Sequence, residues 1–532
     1  MTAPQNINSP GFTIAYNPAT GEEIGQVANT DMASVPTMFA NAKQAQKVWA
    51  QRSYKQRAQS LKGMRDYIVQ NAEELALIVS KSNGKTLTDA LGTEVLPCTL
   101  ACEWYAKHAE RILSDKKIPV DSVLFFNKKS VLQRKPVGVV GIISPWNYPL
   151  SIPFGEVVMG LMAGNAIILK VAAATPLVGE AINRIVEAGN LPKGLFQQIV
   201  GSGGAVSTAF FENNIDKIFF TGSVDVGKQL MEQAAKTLTP LSLELGGNDP
   251  MLVFEDADIE RATNGAAWAG FQNAGQSCGG VERVYVHESI YDEFVELLAK
   301  KVKSMRHGAG NSFNVDMGAM TTRGQLNTVE QHMEDALQKG AKIAAQSRPV
   351  GAQNGFFYPA TLLTDTTEDM LLIRDETFGP IVPVMKFSTE EEAIGYANNS
   401  NLALTSSVWS KDAKRARRIA EQLESGVTTI NDHLYTHGLS EMPWGGWKHS
   451  GLGRTHGPEG LLEMTHAKAI NWDILPAKRN LWWYPFDERA YKALLNAQRF
   501  AYPRSKTEFV KSAAALTPYL VGKMFTKWKP GK

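Results

Sequence analysis

From Gly138 onward, apolar runs of five or six residues alternate with amphipathic stretches, a pattern that predicts parallel strands covered by helices on both faces. V-G-V-V-G-I-I-S reads as a strand, 151–163 as a helix, N-A-I-I-L-K as a strand and 176–188 as a helix. F-Q-Q-I-V, D-K-I-F-F-T-G and L-S-L-E-L follow as strands, separated by helices near 204–212 and 225–235. Residues 31–111 read as helical, with a stripe through Leu61, Met64, Ile68, Leu75 and Ile78. A second α/β segment runs from Pro250 to about residue 443. M-L-V-F, R-V-Y-V-H, V-P-V-M-K-F, L-T-S-S-V-W-S and V-T-T-I-N are its strands, 289–305 and 411–423 its main helices. The alternating stretches 123–135 and 466–472 lie at the edges of this plan and predict antiparallel strands pairing outside the main body.

The first alternation is thus a Rossmann-like, dinucleotide-sized unit, and the chain is α/β throughout. With 532 residues, 44% hydrophobic and 20% charged, it can bury several large cores. A net charge of +2, no G-K-[ST] loop and no basic stripe outside the tail argue against nucleic acid or phosphoryl transfer. The N-terminus has no basic start or apolar core, so no signal peptide is read, and no run reaches membrane-span length. Three cysteines, an odd count, predict a reducing compartment, the cytoplasm. Cys98 and Cys102 have no ligand partners nearby and read as packing; His287, His307 and His433 have no ligand spacing, and no metal is expected.

Cys278 in F-Q-N-A-G-Q-S-C-G-G stands thirty-four residues after Glu244, which ends the apolar run L-S-L-E-L. A thiolate attacks electrophilic carbon, and a carboxylate of suitable pKa draws a proton from water, so the pair points to covalent catalysis. Gly201, Gly203 and Gly204 follow a strand, but Val206 replaces the third fingerprint glycine, leaving a tight turn and a pyrophosphate cradle both open. Gly222, Ser223 and Gly227 form another strand-to-helix junction where amides can bind phosphate. Asn147, in P-W-N-Y-P, either satisfies its own turn or donates to an oxyanion.

These residues resemble the aldehyde dehydrogenase superfamily over roughly residues 12–473. The motifs are P-W-N-Y-P (145–149), A-G-N-A-I-I-L-K (163–170), F-T-G-S (220–223), L-E-L-G-G (243–247), N-A-G-Q-S-C (273–278), E-T-F-G-P (376–380) and P-W-G-G-W-K-H-S-G-L-G-R (443–454). The resemblance implies that Cys278 attacks an aldehyde and that Asn147 and the Cys278 N–H hold the oxyanion. It implies hydride transfer to NAD or NADP and hydrolysis of the thioester by Glu244-activated water. Cofactor contacts would fall at Ile143, Ser144, Pro145, Trp146, Lys170, Ala173, Gly203, Phe220, Gly222, Ser223, Val226, Gly227, Leu245, Gly246, Glu376 and Phe378. Coenzyme A-dependent members usually lack the carboxylate matching Glu244, so hydrolysis is expected. A catalytically silent member, acting as a binding protein, is the alternative; it would have lost Cys278, Glu244 or Asn147, and all three are present.

The implied organisation is an NAD(P)-binding domain (1–121, 138–245, 446–464), a catalytic domain (246–445), a β oligomerisation arm (122–137, 465–477) and an extension (478–532). A homodimer or homotetramer follows from the arm. Tyr148, Trp444 and Trp447 are expected to wall the substrate tunnel, and Gly155 stands where many relatives carry a bulky ring, so the tunnel is expected to be wide. With no arginine clamp in view, apolar aliphatic or aromatic aldehydes are favoured. Ala173 replaces the glutamate that commonly contacts the adenosine ribose, which predicts tolerance of NADP beside NAD.

The extension holds twelve Lys/Arg against three Asp/Glu, and eleven aromatic residues. Phe509, Ala513, Leu516, Leu520, Met524 and Trp528 form a helical stripe broken by Pro518. Such a stripe either packs on this or a neighbouring subunit or binds a membrane surface peripherally.

Overall fold

The computed structural model describes residues 8–9, 11–310, 313–475, 477–484 and 486–526, so Trp528 lies outside the described residues. The chain divides into two compact units, 1–112 with 136–466, and 113–135 with 467–532. The segments expected to bind cofactor and to carry the chemistry share the first; the arm and the extension share the second.

The first unit is built around two large sheets. One has six strands in the order Gly451–Leu452, Leu241–Glu244, Lys217–Thr221, Val139–Ile143, Ala166–Lys170 and Phe196–Gln198, all parallel except Gly451–Leu452. Its register sets Ile143 beside Lys170 and Phe220, and Glu244 beside Thr221, so these residues gather at the carboxyl edge. The other has seven strands in the order Lys342–Gln346, Thr361–Thr364, Ile381–Phe387, Val281–His287, Asp249–Val253, Thr405–Trp409 and Val427–Ile430, antiparallel only at Lys342–Gln346. Leu245–Asn248 carries the chain from the carboxyl edge of the first sheet to the amino edge of the second. The helix Ser151–Ala163 is buried on every side, which explains its apolar character all round. The expected stripe from Leu61 to Ile78 spans two helices, Tyr54–Gln70 and Ala72–Asn83, joined at Asn71.

In the second unit Thr465–Asp473, Lys128–Pro136 and Lys116–Ile118 form a three-stranded sheet. The strand expected from residue 123 begins only at Lys128, because Val123–Phe125 is a 3-10 turn in which Ser122 Oγ accepts the Leu124 N–H. Helices Glu488–Ala501 and Lys506–Phe525 pack on each other, burying Leu481, Ala493, Ala497 and Leu516 with Leu124, Phe500 and Leu520 alongside. Of the second helix's apolar stripe Leu516 is buried in its own unit and Leu520 and Met524 are half-buried, whereas Phe509 is 43% exposed, and the helix continues through Pro518. Among the described residues, no helix is long and apolar enough to cross a membrane.

Candidate active site

Glu244 is buried at the end of its strand, and neither carboxylate oxygen has a hydrogen-bond partner among the described residues. Burial and the buried Glu156 push its carboxyl well above the usual range, against the pull of Arg454. Glu156, on Ser151–Ala163, is itself pushed up to about 8 by burial.

The loop before Cys278 is strained. Asn273, Ala274 and Gly275 take left-handed conformations in succession, with φ of +54°, +55° and +70°. For a non-glycine residue this costs on the order of 1 kcal/mol or more. Asn273 Nδ2 donates to the Asn147 carbonyl at 2.9 Å and to the Gln276 carbonyl at 3.1 Å, while Gln276 Oε1 accepts the Thr321 N–H at 2.9 Å. Gly275 has no room for a side chain, since a Cβ would sit 2.2 Å from the Gly379 carbonyl oxygen. The Cys278 thiol is half-buried, and burial, Glu376, Asp249 and Glu244 all push its pKa up.

Asn147 is buried with Nδ2 donating to the Gln276 carbonyl at 3.1 Å. Its loop is fixed from below by Lys85, whose Nζ donates to the Asn147 carbonyl at 2.9 Å and pairs with Glu94 at 2.7 Å, both side chains fully buried. Glu94 Oε2 accepts the Leu150 and Ser151 N–H groups at 3.0 and 2.8 Å. Glu94 comes from a π turn, Leu91–Val95, an insertion of the kind that concentrates at functional sites. Sequence reading missed this pair; a charge at each end of a turn in a helical region was the available signal.

Two cavities meet at Cys278. One, of about 230 Å³, is lined by Pro145, Trp146, Asn147, Thr221, Gly222, Ser223, Leu245, Gly246, Gln325, Thr328, Glu376, Phe378 and Cys278. Trp146 and Phe378 meet edge to face at 5.6 Å. Phe378 has φ +51°, a conformation held by Glu282, whose carboxylate accepts the Thr377 and Phe378 N–H groups at 2.8 and 2.7 Å. Glu376 accepts the Gly247 N–H at 2.9 Å, and burial raises its carboxyl to about 7. Gly246 leaves space for it, because a Cβ there would be 2.3 Å from Glu376 Oε2. Ser223 caps the helix Val224–Ala234, and Gly227 lets that helix approach Leu245. A carboxylate, two aromatic faces and a helix N-terminus fit the ribose, ring and phosphate of a dinucleotide.

Ile143, Ser144, Lys170, Ala173, Gly203, Phe220, Val226 and Gly227 do not line this cavity. Ile143, Ser144 and Lys170 stand at the same carboxyl edge, where the Ser144 N–H donates to the Lys170 carbonyl at 3.0 Å. Phe220 is buried beneath Gly222, Gly203 opens the helix Gly203–Glu212, and Val226 is in the first turn after Ser223.

The other cavity, of about 270 Å³, is lined by Gly92, Thr93, Pro97, Tyr148, Ile152, Trp268, Gln272, Ser277, Cys278, Leu434, Tyr435, His437, Gly438 and Trp444. Tyr148 donates to Gln272 Oε1 at 2.5 Å. Trp447 is not part of the wall: it pairs with Ala403 in a short strand and its ring is 47% exposed, because the chain turns outward after Gly446. Gly155 does not line the cavity directly. Its missing side chain faces His456 Nε2 at 3.5 Å, and the His456 ring is 4.7 Å from His437, so imidazoles occupy part of the expected extra width. His437 is driven down to about 4 by burial and is neutral at pH 7. His433, which has no ligand spacing, is buried with Nε2 3.0 Å from the Gly279 carbonyl oxygen. Cys98 and Cys102 are buried free thiols, and among the described residues no cluster of three or more His, Cys, Asp or Glu could hold a metal.

The fold and these cavities define an NAD(P)-dependent oxidoreductase. The profile of the aldehyde dehydrogenase family matches residues 8–470. The chain is 36% identical over 490 residues to a 4,4'-diapolycopene aldehyde oxidase of Methylomonas, covering 92% of this chain and 91% of the relative. It is 36% identical to a putative NADP-dependent succinate-semialdehyde dehydrogenase of Mycobacterium ulcerans, covering 85% and 86% of the two chains. The NAD+ complex of an aldehyde dehydrogenase from Bacillus cereus superposes with a TM-score of 0.82 at 32% identity, over 87% of this chain and 93% of that one. The chain belongs to the aldehyde dehydrogenase family.

Proposed function

We propose that this enzyme oxidises apolar aldehydes to carboxylates through a thioester on Cys278. The observation that carries the reading is that Cys278 lines both cavities, one apolar and one fit for a dinucleotide. Cys278 attacks the carbonyl carbon as its thiolate, the thiol proton having been lost to solvent. The oxyanion is held by the Cys278 N–H and by the second N–H of Asn147 Nδ2, whose first is taken by Gln276. Bound NAD(P)+ would supply the acceptor for the hydride that the carbon loses. Glu244 then draws a proton from the water that cleaves the thioester.

Glu376 would hold the nicotinamide ribose, Phe378 and Trp146 would flank the ring, and Gly222 and Ser223 would meet the phosphates, with Lys170 at the adenosine ribose. Burial alone lowers the Lys170 pKa, with no carboxylate contributing, and Ala173 brings no anion to repel a 2'-phosphate. The substrate cavity has no Arg or Lys in its wall, and its one imidazole is neutral at pH 7. A semialdehyde acid would bury an unpaired carboxylate there, at a cost of several kcal/mol. The relative named for 4,4'-diapolycopene aldehyde agrees with this preference more than those named for semialdehydes.

Residues 466–472 are exposed along their whole length, which supports pairing of this arm in a homodimer or homotetramer. A nucleophilic thiol supports a reducing, cytoplasmic setting. The test is reduced-nicotinamide absorbance with NAD+ or NADP+ and a series of aldehydes, run beside Cys278→Ala. Turnover that vanishes in the variant is expected. Turnover that persists would sink the covalent mechanism, and none with any pair would sink aldehyde oxidation by this chain.

A further inference from the structure

The unit formed by 113–135 and 467–532 carries two adjoining hollows with opposite chemistry. One is an apolar groove of about 360 Å³ walled by Leu124, Phe126, Leu475, Trp482, Leu520 and Met524. The other is a polar basin of about 590 Å³ walled by Arg479, Arg489, Lys492 and Lys523, with Asp487 as its acidic residue. Arg479 and Lys523 line both. They are held in place: Arg479 donates to the Thr526 carbonyl at 3.1 Å, and Lys523 donates to the Trp483 carbonyl. Lys492 is paired with Glu488, and Asp487 is engaged in capping the helix Glu488–Ala501. Trp483, Tyr484 and Phe486 beside the groove are exposed.

We propose that this unit is a binding site for an anionic phospholipid of a membrane surface, the acyl chain in the groove and the headgroup phosphate in the basin. A chain without charge would use only the groove, and a soluble phosphate only the basin; an anionic lipid satisfies both. The excess of twelve basic over three acidic residues in 478–532 gives the long-range attraction. Exposed tryptophan and tyrosine at the rim have the amphipathic rings that favour a headgroup interface. The inward-facing stripe around Leu516 serves a different purpose, since it holds the two helices together and so shapes the groove.

The experiment is co-sedimentation of the full chain at physiological ionic strength with phosphatidylcholine vesicles, with and without phosphatidylglycerol. At least tenfold tighter pelleting with phosphatidylglycerol is expected, and the double variant R489E/K492E should lose at least tenfold of it, with aldehyde turnover unchanged as the control for folding. Phosphatidylglycerol brominated on its acyl chains should quench tryptophan fluorescence, and Trp482→Phe should remove a large part of that quench. Equal pelleting with both vesicle types, or pelleting indifferent to the charge reversal, overturns the proposal. So does inorganic phosphate displacing the protein at low concentration, which would indicate an anion site without a lipid. No pelleting at all also overturns it.

Discussion

The carbonyl oxygen of Cys278 stands 2.1 Å from where a Cβ on Gly247 would be. The turn after Glu244 and the loop bearing Cys278 thus meet backbone against backbone, and this contact sets the spacing of carboxylate and thiol. Gly247→Ala has to push them apart. Overpacking of this kind costs about 1–3 kcal/mol. Displacements of an ångström can cost about a hundredfold in rate. Thermal denaturation and kcat measured together should show a modest fall in Tm with a disproportionate fall in turnover.

Glu244→Gln separates the two halves of the reaction. Acylation should still release about one equivalent of reduced cofactor per site in a rapid burst, while steady turnover falls by about 10²–10⁴. Stopped-flow absorbance would check it, with Cys278→Ser giving no burst at all.

The pH dependence follows from two carboxyls raised by burial. As a base Glu244 must be ionised, so turnover should climb with pH through its elevated pKa. Glu156→Gln removes a neighbouring negative charge, which should move that limb to lower pH. The same substitution has a stability signature. The folded pKa of Glu156, about 8, lies above its ordinary 4.5, so the native state loses stability as pH rises between those values. Glu156→Gln should therefore raise stability at pH 8, on the order of 1–3 kcal/mol, and have little effect below pH 5. Denaturant titrations at the two pH values would check it.

Lys85→Met leaves Glu94 buried without its cation, a loss of about 3–5 kcal/mol. Asn147→Ala should leave stability nearly intact and reduce kcat/KM by about 10²–10³. Urea unfolding of both variants beside their kinetics would separate the positioning pair from the group that meets the oxyanion.

Lengthening an aliphatic aldehyde should raise kcat/KM by about fourfold per methylene until the cavity is filled, from roughly 0.8 kcal/mol per buried methylene. Succinate semialdehyde should be poorer than the uncharged aldehyde of the same length by at least a hundredfold. With either substrate, NAD+ and NADP+ should differ by less than about a thousandfold, roughly 4 kcal/mol. Ala173→Glu should widen the gap in favour of NAD+.

Much of this was legible in the order of apolar runs. The helix 151–163 and the strands ending at Ile143, Lys170 and Thr221 follow from their apolar runs, because each is buried on both faces and its interior is apolar but for Glu156 in the helix. What escaped was long-range. Glu282 reaches forward nearly a hundred residues to fix Phe378, and Lys85 reaches Asn147, contacts that no local pattern encodes. His437 and His456 enter the substrate side through rings brought together only by the fold. Trp447 misled because its aromatic character is visible in sequence, whereas the outward turn after Gly446 is not. The stripe around Leu516 was visible too, but an apolar helical face does not declare which neighbour it meets.

The position of Cys278 on the boundary of two separate hollows has a pharmacological side. A compound that fills the aromatic side can be bulky and uncharged without mimicking a nucleotide. It would compete with aldehyde and leave cofactor binding untouched. An electrophile carried on such a scaffold would be delivered to the sulfur by the apolar wall alone, past Trp268, Tyr435 and His437 and not through the dinucleotide cleft.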